Sequence, residues 1–100
     1  MKLIAIEHST NPEKKWMAIF KNESTGRHKT IHFGAKGMDD YTLKHDKEQR
    51  DRYRTRHAKD LTTEAGRTGV SAGALSYWVL WGNFTTMGRN ILDYKKRFRL

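Results

Sequence analysis

The chain has no cysteine, which excludes a disulfide-stapled scaffold and every thiolate metal site. Its one proline, Pro12, falls in the turn cluster Ser9-Thr10-Asn11-Pro12. The longest apolar run lies near residues 74–81, far short of the roughly 20 residues a membrane span needs. The N-terminus lacks the charged-then-apolar pattern and small-residue cleavage site of a secretory signal. These absences predict a protein of the cytoplasm, nucleus or a particle interior, with no membrane partner. Acidic residues are also scarce: eleven Asp and Glu face twenty Lys and Arg, a net charge of +9.

Metal and catalytic spacings are missing too. His28 and His32 would share one strand face but sit roughly 13 Å apart, too far for one ion. His45 and His57 would be about 18 Å apart along a helix. Glu7-His8 has no predictable partner, and Asp39-Asp40 could bind a cation, although a turn and cap explain the pair equally well. No catalytic residue, metal or cofactor is assigned, and the chain is expected not to be an enzyme.

With 100 residues the chain is expected to form one domain spanning 1–100. Three Trp, four Tyr and four Phe, concentrated near 16–33 and 77–98, supply large apolar area and suggest that the two ends meet. Residues 2–7, 14–21 and 27–33 read as strands. In the second, Trp16, Ala18 and Phe20 alternate with Met17 and Ile19; in the third, Lys29, Ile31 and Phe33 alternate with His28, Thr30 and His32. Gly26 suits the positive-φ position of the turn between them. Residues 46–60 read as a polar helix, capped by Asp46 or Thr42, with Lys47–Asp51 and Glu48–Arg52 spaced to pair. Its apolar anchors are only Tyr53, Ala58 and Leu61, so it is expected to protrude. A linker at 62–71 precedes a buried helix at about 72–81, ended by Gly82-Asn83. A last helix at about 86–98 carries Met87, Ile91, Tyr94 and Phe98 on one stripe. The expected class is α+β: a three-stranded antiparallel meander packed by a buried helix and a C-terminal helix, with a polar basic helix.

The charge is clustered. Residues 41–60 carry +3 and residues 89–100 carry +4, while 61–88 are neutral and apolar. Such an excess attracts polyanions. The first candidate set is Arg50, Arg52, Arg54, Arg56, His57 and Lys59, spread around the helix circumference in a way that suits phosphates better than base edges. The second is Arg89, Lys95, Lys96, Arg97 and Arg99, where four cations in the last six residues exceed what the helix dipole rewards. Lys36, in Gly34-Ala35-Lys36-Gly37, adds a small candidate anion loop, although a tight turn explains the glycines equally well. Trp78 and Trp81 read as core, and Trp16 and Phe20 as candidate base stackers on an exposed sheet face.

Phe33 to Gly37, Asp40 to Thr42, Arg50 to His57, Ala72 to Trp81 and Asp93 to Phe98 form a pattern spread over residues 14–100. It resembles a family of small basic proteins encoded by nucleocytoplasmic large DNA viruses of algae and amoebae. Relatives read Asn-Trp-x-Asp-Pro before the apolar helix, where this chain has Thr63 to Gly69. The resemblance implies a viral origin, in a virion or viral factory, and no particular mechanism. The functional expectation is electrostatic, largely sequence-independent binding of nucleic acid, DNA ahead of RNA. The alternative is a minor capsid-associated protein whose basic surface meets acidic patches on virion proteins.

Overall fold

The computed structural model describes residues 1–100 and is α+β. Strands β1 (Lys2–His8), β2 (Lys14–Lys21) and β3 (His28–Ala35) form an antiparallel sheet in the order β1-β2-β3. Trp16 pairs with Phe33 and Ala18 with Ile31, so the alternating residues named above share one face. Ala18, Phe20 and Phe33 are buried there. That face is the core face, which corrects the reading of Trp16 and Phe20 as exposed stackers. Phe20 has no exposed surface, and half-buried Trp16 stacks on His8 at 4.5 Å.

β1 breaks simple alternation. A register shift between Leu3 and Ala5 lets Leu3 oppose Phe20 and Ile6 oppose Ala18, so residues three apart reach the core face. Ile4 is left 53% exposed. At the other hairpin, Gly26 has φ 73° and donates its N–H to the Asn22 carbonyl at 2.7 Å.

A short helix α1 (Tyr41–Lys44) is capped by Asp40, which accepts the Thr42 N–H at 2.9 Å. The polar helix α2 (Lys47–His57) is capped by Asp46, which accepts the N–H groups of Glu48 and Gln49. Thr42, the other cap considered, lies inside α1. A 3-10 turn (Ala58–Leu61) continues α2. The expected linker is partly helical: Thr63 accepts the Gly66 N–H at 2.9 Å and starts α3 (Glu64–Thr68), and Gly69, at φ 82°, stops it.

The buried helix begins as α4 (Ala72–Leu75) and widens into a π-helical segment (Ser76–Leu80), where the Trp81 N–H reaches back five residues to the Ser76 carbonyl. Ala74, Leu75, Val79, Leu80 and Trp81 are buried, whereas Tyr77 and Trp78 are only half-buried. Gly82 ends the segment by proximity, since a β-carbon there would lie 2.2 Å from the Trp78 carbonyl oxygen.

Helix α5 (Met87–Phe98) presents the expected stripe, with Tyr94 fully buried and Met87, Ile91 and Phe98 packed on the core. Asn90 lies beside it, also fully buried. Its amide nitrogen donates to the carbonyls of Val79 (2.9 Å) and Phe84 (2.8 Å), and its oxygen accepts the Phe84 N–H at 2.9 Å. One polar side chain thus satisfies the backbone where the π segment turns toward α5.

Candidate nucleic-acid interface

The cations of α2 fall into two groups. Arg52 and Arg56 are exposed, as is Lys59 on the following turn, and none of the three makes an ion pair. Arg50 and Arg54 point inward instead. The Arg50 side chain is 15% exposed, lies over the Tyr41 ring at 4.8 Å and contacts Asp51. Arg54 donates from Nε to the Trp81 carbonyl (2.8 Å) and from Nη2 to Asn83 Oδ1 (3.1 Å). This explains how a helix with no buried residue and no apolar stripe is held: two guanidinium groups and Tyr53 dock it. Tyr53 stacks on Trp81 at 4.5 Å and on His57 at 4.2 Å. His57 is not a free cation either, because its Nδ1 bonds Asp60 at 2.9 Å. The pairs Lys47–Asp51 and Glu48–Arg52 make no ion contact.

The second set lies on α5 and its cap. Lys96, Arg97 and Arg99 are exposed and Lys95 is half-buried. Arg97 lies 3.8 Å over the Trp78 ring and reaches Asp93 at 3.6 Å. Arg54 sits over the same indole at 5.6 Å. The two basic segments, far apart in sequence, therefore meet at Trp78. Burial lowers the Arg54 pKa, and the nearby Arg50 and Arg97 lower it further.

The fold recruits two cations that no sequence pattern singles out. Lys29 from β3 and Arg67 from α3 join Arg97 and Arg99 around an open groove of about 850 Å³, where Glu64 is the one acidic side chain. Positions 29, 67 and 97–99 share no spacing, so only tertiary structure brings them together. Lys36 stays apart on the turn after β3, with its backbone N–H bonded to the Glu13 carbonyl at 2.9 Å. Gly34, near the end of β3, has φ 79°, and a β-carbon there would lie 2.9 Å from Leu80 Cδ1. Packing against the π segment accounts for that glycine.

No three His, Asp or Glu side chains converge as a metal site, and no helix is long and apolar enough to cross a membrane. A family model described as "Family of unknown function (DUF5754)" matches residues 4–57, which take in the sheet, α1 and α2. No curated protein and no solved structure matches the chain.

Proposed function

We propose that this chain, which belongs to the DUF5754 family of unknown function, is a non-enzymatic, electrostatic and largely sequence-independent nucleic-acid-binding protein. The observation that carries this reading is the meeting of the basic α2 and α5 at Trp78, which turns two separate charge runs into one surface. Arg52, Arg56 and Lys59 are exposed on α2 and the turn after it and Lys96 on α5, and Lys29, Arg67 and Arg99 join Arg97 around the groove. Side chains of this kind contact phosphates and fix no base sequence. The indole at the joint is covered by guanidinium groups, so backbone contact outweighs base stacking. The resemblance to proteins of large DNA viruses favours DNA as the partner and a virion or viral factory as the setting.

A salt-titrated binding assay with duplex and single-stranded DNA tests the proposal. The logarithm of affinity should fall linearly with the logarithm of salt concentration, with a slope set by about five to eight neutralised phosphates. Random and fixed sequences should bind within a few fold of each other. Affinity that is absent, or flat between low and physiological salt, would overturn the assignment.

A further inference from the structure

A second concavity, distinct from the basic groove at the end of α5, opens between the Gly34–Gly37 end of the sheet and the helices α2 and α4. Its volume is about 580 Å³, within the range of small-molecule sites. Lys14 and Lys15 enter it from β2, Gln49, Arg56 and His57 from α2, and Ser76 from the π segment.

The charges in this cleft are unevenly satisfied. Lys15 is held by Asp40 at 2.9 Å, and His57 Nδ1 by Asp60 at 2.9 Å. Lys14 and Arg56 have no carboxylate partner, and Asp39 is the only lining acid outside those two pairs. The Gln49 side-chain amide also makes no hydrogen bond within the protein. His57 is fixed from two directions: Asp60 takes Nδ1, and Tyr53 stacks on the ring. That arrangement orients Nε2, which has no protein partner, as a side chain held by a neighbouring carboxylate orients its second nitrogen. Lys14, Arg56 and the Gln49 amide are unpaired donors on separate elements, and His57 Nε2 joins them as a donor when the ring is the imidazolium; such a cluster is built to receive an oxyanion.

We propose that this cleft binds a phosphomonoester, with Arg56 and Lys14 contacting the phosphate from the helix side and the sheet side and the imidazolium form of His57 donating from Nε2. The phosphate can belong to a free small molecule or to the terminus of a nucleic-acid strand. The chemistry of capture is the same; the site shares Arg56 with the polyanion surface described above, but Lys14 and His57 Nε2 face only this cleft's ligand, so Lys14→Gln tests it apart from that surface.

The test is titration of the full chain with inorganic phosphate and with adenosine monophosphate, followed by calorimetry and by backbone amide NMR. Both should bind saturably at one site, with shifts centred on residues 34–37 and on His57. Lys14→Gln and Arg56→Gln should each weaken binding about tenfold, the loss expected for one charge-assisted contact. The double variant Lys95→Gln/Arg99→Gln, which alters only the α5 end, should bind the small phosphates like the parent. A short oligonucleotide with and without a terminal phosphate, at salt high enough to suppress general binding, separates the two sources. Preference for the phosphorylated strand assigns the strand end, and equal binding assigns the free phosphomonoester. The proposal falls if neither small phosphate binds saturably at concentrations up to about 10 mM. It also falls if the Lys14 and Arg56 variants bind like the parent, or if the α5 variant loses as much as they do. Loss of DNA binding alone would remove the polyanion reading and leave this site standing.

Discussion

The side-chain amide of Asn90 donates to two carbonyls and accepts one N–H at a position without solvent access. Replacing it by Ala strands the buried Val79 carbonyl and the partly buried Phe84 carbonyl and N–H, and a buried group left unpaired costs about 1–3 kcal/mol. Asn90→Ala should therefore lower unfolding free energy by roughly 3 kcal/mol in urea titrations; a loss under about 1 kcal/mol would show that water takes over those bonds. Tyr94 is the other buried polar group of α5, donating its hydroxyl to the Gly69 carbonyl at 2.5 Å. Burial raises its pKa well above the ordinary tyrosine value, and burial raises that of Tyr53 too, against the pull of a Ser76 hydrogen bond. The unfolded chain then ionises these phenols from about pH 10 while the folded chain keeps their protons. Stability held below that pH is lost as pH rises further. Tyr94→Phe should be less stable at neutral pH by about 1 kcal/mol and decline less steeply above pH 10. Unfolding curves of both proteins across that range decide it.

At the scale of elements, α2 shows most clearly what a sequence conveys and what it withholds. Its existence and its want of an apolar stripe were legible from Lys47 to His57, and Asp46 was one of the two caps the sequence offered. Which arginines dock was not, because Arg50 and Arg54 are held by Tyr41, the Trp81 carbonyl and Asn83, partners supplied by other elements. Arg52→Gln/Arg56→Gln should weaken DNA binding while leaving the melting temperature unchanged. Arg50→Gln/Arg54→Gln should destabilise the fold by about 1–3 kcal/mol, through lost cation–π and hydrogen-bond contacts. Parallel melting and binding curves distinguish the pairs, and equal melting temperatures for both would contradict the docking role. On α5 the stripe of Met87, Ile91, Tyr94 and Phe98 was readable from its period, yet Asn90 was not. A polar residue beside an apolar stripe looks like surface until the backbone it serves is known. The π winding of Ser76–Leu80 was equally hidden, since Leu75, Trp78 and Val79 fit an α-helical period; the wider turn leaves Trp78 half-buried beneath Arg97. Trp78→Ala should accordingly cost less than Leu75→Ala, whose side chain is wholly enclosed and should cost about 2–5 kcal/mol.

At the scale of the molecule, a sheet of three strands has two open edges, and β1 forms one of them. A straight strand of the composition KLIAIEH would offer a flat row of amides on which another chain could continue the ladder. The shift between Leu3 and Ala5 disrupts that row in its middle and twists the strand away from a flat template. Removing Ile4 would make the pairing continuous, with Leu3 still opposite Phe20 and Ile6 opposite Ala18 on the core face, and would leave the edge an uninterrupted row of amides. The irregularity that brings Leu3 and Ile6 into the same core thus also protects against self-association: a chain lacking Ile4 should form aggregates on warming at concentrations where the parent stays dispersed.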